Sequence, residues 1–577
     1  MNKFAIFHIS DVPYAYGIDD ETLVVRIRFA RNDIKKCKIH YKDRYDWDKM
    51  KSFSEKEMEL KEYTDLFEYY ETEISIDEKR FRYYFEIYDM EGKTYYYNER
   101  GIQSGSVEET RSFQFPYLCK ADVYKSVNWA QEGIVYQIFP DRFNNGDESI
   151  NPEDVSPWGD DVTRETMFGG DLQGIIDKVP YLKDLGVTII YLTPIFLSST
   201  NHKYNTCDYY KVDPCFGDIE KAKELVDKCH EAGIRVTLDA VFNHSGSDFF
   251  AFKDVIEKGE KSKYKDWFFI ESYPVDAEKV NYLTFAESIS NMPKLNTQNP
   301  EVVDYLLGVA KYWIKEIGID GWRLDVCDEV DHAFWREFRK AVKDANPDAL
   351  IIGEISHESS SFLRGEQLDS IMNYPFRDLC LDFFAKGVID SQEFIYGLAD
   401  QRARYMDGIN KTMFNLLGSH DVARFLTECD GNVEKLKLAV AFKFTYIGIP
   451  YVYYGDEVGV EGENDPYCRR CMIWDEDKQD RDLYEFHKKL SAIRRENKSL
   501  IYGEFMPLYF DDGVVAYKRI CNDEECICIL NNFNGKRNIE IDIYGSYSDI
   551  MESEEVKINN GITLNPYEIK ILRKYKY

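Results

Sequence analysis

Residues 236–244 read VTLDAVFNH, an apolar run that closes on Asp239, Asn243 and His244. Residues 321–326 read GWRLDV and repeat the pattern, with Arg323 inside the run and Asp325 near its end. Shorter apolar runs with the same rhythm stand at 134–139, 187–192, 350–355, 371–374, 414–417 and 451–454. Helix candidates lie between them, such as 219–232, 302–317 and 333–344. Apolar runs that alternate with helices indicate parallel strands buried on both faces. Eight such units predict a (β/α)8 barrel, whose chemistry sits at the C-terminal ends of its strands. The alternative is an open doubly wound sheet, but no Gly-rich phosphate loop follows the first run.

Outward from the barrel the rhythm changes. Residues 1–121 show period-two alternation, as in LVVRIRF at 23–29 and RYYFEIY at 82–88, with polar turns between the runs. That predicts an N-terminal β-sandwich. The barrel is expected over 122–500, with a subdomain inserted after strand three at about 245–296, a connection too long for a plain loop. Helices stop near 500, and short strands such as 513–519 and 526–530 predict a C-terminal β-sandwich over 501–577. The fold class is therefore α/β, a TIM barrel between two β-modules. A chain of 577 residues has room for three or four domains.

Lys and Arg number 73 against 104 Asp and Glu, a net charge of −31. That field repels nucleic acid and anionic membranes and suits a neutral partner. No stretch of about 20 apolar residues is present, so no membrane span is expected. The opening MNKFAIFHISDVPYAYG lacks an apolar core and a small-residue cleavage site, so a cytoplasmic protein is expected. The 13 Cys are odd in number and scattered, which fits reduced thiols. Cys468 and Cys471 form a CxxC pair; a zinc site would need a second pair, for which Cys521, Cys526 and Cys528 are the candidates. The 43 Tyr and 36 Phe suit a sugar-binding surface, and a rich core explains them equally.

The strand ends are where charge collects: Asp239 and His244 after strand three, Arg323 and Asp325 after four, Glu354 after five, His420 and Asp421 after seven. A lone Asp at a strand end is usually a cap or ion pair, whereas four such ends converging on one mouth are not. Breaking a glycosidic bond needs an acid on the leaving oxygen and a carboxylate near the anomeric carbon. Arg323 lies two residues before Asp325, hence on the same strand face, where it would keep that carboxylate ionised. Neutral imidazoles would bind sugar hydroxyls without adding charge. His332 precedes a helix and is read as structural.

DAVFNH, GWRLDV, GEI and SHD, in that order, resemble the four short regions shared by the alpha-amylase family of glycoside hydrolases. MPKLN at 292–296 resembles the fifth region of one subgroup, the neopullulanases, cyclomaltodextrinases and maltogenic amylases. GDE at 455–457, NDPYCRRCM at 464–472 and GGDLQG at 169–174 look like the same subgroup. The resemblance implies a retaining α-glucan hydrolase. It would cleave mainly α-1,4 bonds in cyclodextrins, pullulan and maltooligosaccharides through a β-glucosyl intermediate, with some transglycosylation. It makes Asp325 the nucleophile, Glu354 the acid and then the base, and Asp421 the transition-state stabiliser. His244, Arg323 and His420 would line the same subsite. Tyr204 would stack under the scissile sugar beside His202, and Asp465 and Arg469 would hold the next sugar and limit pocket length. The resemblance also implies a homodimer and no organic cofactor.

A calcium site is implied by Asn145, Asp147 and Asn151, with Gly169 and Asp171 downstream. Ile150 stands where the pattern has Asn, which removes one side-chain ligand. Ser356 replaces a usual Trp after Glu354, and Cys327-Asp328 replaces the usual Ala-Asn after the nucleophile strand. Two alternatives stay open: a 4-α-glucanotransferase using the same site, and a non-catalytic glucan-binding protein. A full carboxylate set speaks against the second.

Overall fold

The structure is a computed structural model that describes residues 1–47, 52–286 and 289–574. It divides into two compact units, one of residues 1–126 with 360–366 and 392–410, the other of the remainder.

The first unit is built on two antiparallel sheets. One runs in the order Ala15–Gly17, Thr22–Ala30, Phe67–Ser75, Glu59–Tyr63; the other is centred on Ile34–Asp43 and Phe81–Asp89. Alternation decides which face is inside. Leu23, Val25, Ile27 and Phe29 meet Cys37, Ile39, Phe81, Tyr83 and Phe85 in one core between the sheets. The expected β-sandwich is present.

The second unit holds the barrel. Its parallel strands, in chain order, are Val135–Ile138, Ile189–Leu192, Arg235–Ala240, Gly321–Leu324, Leu350–Gly353, Ser370–Ile371, Phe414–Asn415 and Ile449–Tyr453. They pair in that order around the sheet, and the last returns to the first. The remaining seam lies between the sixth and seventh, where Asn373 N donates to Phe414 O at 2.9 Å. These two strands are shorter than their apolar runs. Asn373 caps the helix Tyr374–Cys380, with Pro375 in its first turn, so the chain turns helical where the run suggested strand.

The helix Ile219–Ala232 starts at Asp218, whose side chain accepts from Lys221 N, and stops at Gly233 with φ +80°. Its boundaries are those its periodicity predicts. The 302–317 pattern becomes Pro300–Tyr312 followed by one wider turn, Trp313–Ile317. The insertion after strand three contains the helix Phe250–Lys258 and three short antiparallel contacts. Its return at Lys294 pairs with His244 at the exit of strand three. From Glu504 onward a six-stranded antiparallel sheet and a two-stranded one, Arg537–Ile539 with Ile562–Leu564, share an apolar core.

All 13 cysteines are free. Cys468 Sγ lies 3.2 Å from His420 O, and Cys471 packs with Val162 and Phe168. Among the described residues no metal-ligand cluster includes a cysteine, so the zinc reading of Cys468 and Cys471 finds no support.

Candidate active site

The site is assembled around one guanidinium. Arg323 lies inside the fourth barrel strand, where its stem is enclosed and only 1 % of the residue is exposed. Its Nη1 donates to Asp325 Oδ1 at 2.8 Å and to Asp239 at 2.9 and 3.0 Å. Its Nη2 stands 2.9 Å from Glu354 Oε1 without hydrogen-bond alignment. Three adjacent strands thereby bring their terminal carboxylates to one cation. Glu354 Oε2 accepts Val326 N at 2.9 Å, and Cys327 Sγ backs the Glu354 carbonyl at 3.5 Å.

Asp421 enters from strand seven. It is 3.3 Å from His420 Nε2 and 3.5 Å from Arg469 Nη2. Arg469 also meets Asp465 at 3.0 Å and donates to His420 O at 2.8 Å. Asp465 and Arg469 therefore adjoin the carboxylate cluster.

Burial and mutual repulsion set the charge. Desolvation comes first in pushing Asp325, Glu354 and Asp421 above the usual carboxylate range, and it pushes Asp239 to about 6. Glu354 raises Asp325, and Asp421 raises Glu354. Four carboxylates share two arginines, Arg323 and Arg469, which favours retention of a proton at neutral pH. Arg323 makes aligned bonds to Asp325 and Asp239 but not to Glu354.

The imidazoles are neutral. Burial lowers His202 and His244 to about 3 and holds His420 well below the usual imidazole range. The Nδ1 of His202 accepts Tyr204 N at 3.1 Å, which leaves Nε2–H to donate. The Nδ1 of His420 faces Gln137 Nε2 at 2.7 Å, so its Nε2–H points at Tyr204 Oη, 2.6 Å away, and at Asp421. Tyr204 lies parallel to His420 with ring centres 5.5 Å apart, and its hydroxyl donates to Asp239 at 3.0 Å. His244 is stacked on Phe285, and its Nε2 has no partner among the described residues.

Three supporting residues were not legible as site residues. Tyr191 donates to Asp239 at 2.6 Å, Gln137 orients His420, and the Tyr374 hydroxyl meets Ser419 at 3.1 Å. The signal for the first two is a polar group inside an otherwise apolar strand. Beside the carboxylates a cavity of about 430 Å³ is lined by Asp328, Glu354, Ser356, Tyr374 and Asp421. Tyr374 is the aromatic ring of its wall, and Ser356 adds none. Asp328 is tied across to His357 Nε2 at 2.9 Å.

The five residues expected to hold calcium divide into two groups. Asn145 Nδ2 donates to Asn151 Oδ1 at 3.0 Å, and Asn145 Oδ1 is buried without a partner among the described residues. Gly169 lies against both amides; a Cβ there would come within 2.4 Å of Asn151 Oδ1. The partnerless Asn145 Oδ1 and the adjacent Asn151 Oδ1 are neutral oxygens of the kind a hard cation takes. Asp171 instead accepts the backbone N–H groups of Gly146, Asp147 and Gly174 at 3.1, 2.8 and 2.6 Å. Asp147 Oδ1 accepts from Ser149 N and Oγ at 3.0 and 2.6 Å.

Carboxylates gathered at the strand ends of a (β/α)8 barrel are what a glycoside hydrolase uses, and the protein is one. Residues 137–503 match the family described as alpha amylase, catalytic domain, and residues 1–119 match the alpha amylase N-terminal ig-like domain. A cyclomaltodextrinase of Thermoanaerobacter pseudethanolicus is 51 % identical, over 99 % of this chain and 100 % of its own. Neopullulanase 2 of Thermoactinomyces vulgaris is 44 % identical over 98 % of this chain and 99 % of its own. A solved cyclomaltodextrinase structure superposes with a TM-score of 0.96 at 41 % identity, covering 100 % of both chains. The chain belongs to the alpha-amylase family, in the group of neopullulanases, cyclomaltodextrinases and maltogenic amylases.

Proposed function

We propose that this α-glucan hydrolase cleaves mainly α-1,4 bonds of cyclodextrins, pullulan and maltooligosaccharides with retention of configuration. The observation that carries the reading is the single Arg323 guanidinium shared by Asp325 and Glu354. Asp325, oriented by its aligned bond to Arg323, attacks the anomeric carbon as the carboxylate. Glu354 donates its proton to the leaving oxygen, and a β-glucosyl-Asp325 ester forms. Glu354, now ionised, deprotonates water, which releases the α-product. Asp421, His420 and His244 bind ring hydroxyls; Tyr204 and His202 flank the scissile sugar; Asp465 and Arg469 hold the next one and close the pocket. The names of the relatives point to cyclic maltodextrins and to pullulan. Initial rates on β-cyclodextrin, pullulan and soluble starch test this. Cyclodextrin is expected to be the fastest substrate, and starch turning over equally fast would overturn the preference for short or cyclic glucans.

Some transfer to sugar acceptors belongs to the same proposal, since the ester can be opened by a sugar hydroxyl entering the cavity beside Ser356. A predominantly 4-α-glucanotransferase would build longer oligomers from maltotriose before glucose and maltose accumulate. A homodimer is likewise proposed, and a monomer on gel filtration at micromolar concentration would remove that part.

Calcium would be held by Asn145, Asn151 and Gly169, where it would brace the loop. Because the set is mostly neutral, binding would be weak. Millimolar calcium is expected to raise Tm by roughly 1–3 °C, and Asn145→Ala to abolish the shift. An identical melting curve in calcium and in chelator would overturn it.

A further inference from the structure

The barrel unit carries a second cavity, of about 1030 Å³, bounded by the segments 144–168 and 459–478. None of Asp325, Glu354, Asp421, Asp465 and Arg469 lines it. Its volume is at the upper end of small-ligand sites.

Two aromatic side chains line it and remain open, Trp158 at 37 % and Tyr467 at 52 % exposed. The indole is fixed rather than loose. Its Nε1 donates to Met472 O at 2.9 Å, and its ring stands edge-on to Phe168 at 6.4 Å. Asp160, Asp161 and Glu461 line the same cavity, and none has an ion-pair partner among the described residues. Arg470 adds a donor.

A fixed flat ring beside uncommitted carboxylates matches one ligand chemistry well. The C–H face of a pyranose covers the ring, and adjacent hydroxyls donate to carboxylate oxygens. A net charge of −31 favours such a neutral polyol over an anion. The placement argues for the same polymer that the catalytic site takes. The short turn Tyr467–Arg469 is shared: Arg469 turns toward Asp421, while Tyr467 turns into this cavity.

We propose that this cavity is a second α-glucan-binding site, separate from the catalytic cavity, with Trp158 as its platform. It rests on the α-glucan reading of the protein. It would hold a neighbouring stretch of a longer chain while the catalytic site works on another.

The test uses the Asp325→Asn protein, titrated calorimetrically with maltoheptaose. Two binding events are expected, and Trp158→Ala in that background should remove one of them. In the active enzyme, Trp158→Ala should raise KM for soluble starch roughly three- to tenfold while leaving kcat/KM for maltotriose unchanged. Glu461→Gln, which leaves the packing around the indole alone, should weaken the same event and serves if Trp158→Ala does not fold. One binding event that neither variant alters would overturn the second site and leave the hydrolase reading intact. A cavity that takes calcium but no glucan would overturn it as well. Absence of all glucan binding would instead overturn the α-glucan reading.

Discussion

Asp325→Asn is expected to lower kcat on β-cyclodextrin by roughly 10⁴-fold or more while leaving the fold intact. The amide is nearly the same shape as the carboxylate but cannot form a glycosyl ester. Arg323 keeps its bonds to Asp239, so the cluster does not fall open. The stability sign follows from the charge. Burial and Glu354 raise the Asp325 pKa in the folded state. A carboxyl raised in this way destabilises the fold once pH exceeds its unfolded value, because the unfolded chain ionises more readily. A neutral amide removes that penalty, so at neutral pH the variant should melt at or above the parent temperature. Loss of activity together with a Tm several degrees lower would show a structural role instead, and near-full activity would sink the nucleophile assignment. Activity on β-cyclodextrin and a thermal melt at pH 7 decide it.

Glu354→Gln should lower turnover of natural glucans by roughly 10³–10⁴-fold, yet spare substrates whose leaving group needs no proton. α-Maltosyl fluoride is the appropriate probe: its fluoride departs unassisted, so the ester on Asp325 still forms. Without a base to activate water the ester should persist, and added azide should open it to α-maltosyl azide, a product of retention readable by NMR. The parent should show an alkaline limb above the usual glutamate range, because burial and Asp421 raise Glu354. The variant should lose that limb with the fluoride. Equal losses on fluoride and on cyclodextrin, with no azide adduct, would remove Glu354 from the acid role.

Much of the architecture was legible because parallel strands buried on both faces leave unmistakable apolar runs. The helix Ile219–Ala232 was legible to its ends, since Asp218 is a strong start signal and Gly233 a strong stop signal. The sixth and seventh strands were not. Their apolar runs continue into buried turns and a helix, and hydrophobicity alone does not say where extended backbone ends. In the site, Arg323 and Asp325 could be placed on one face by spacing. That Asp239 completes the same cation's shell, or that Gln137 fixes His420, depends on contacts between strands far apart in sequence. The surroundings of the proposed calcium residues are of the same kind: that Asp171 accepts three backbone amides is not announced by its place in the sequence.

One guanidinium touching three carboxylates, with a fourth alongside, also makes protonation in this pocket a collective property. A proton leaving one oxygen changes the field at every other, so the two limbs of a pH–rate curve are macroscopic constants of the group rather than of Asp325 or Glu354 alone. Neutralising Asp239 or Asp421, neither of them assigned a proton-transfer step, would therefore displace both limbs, and the working pH range of the enzyme is written into the spacing around Arg323.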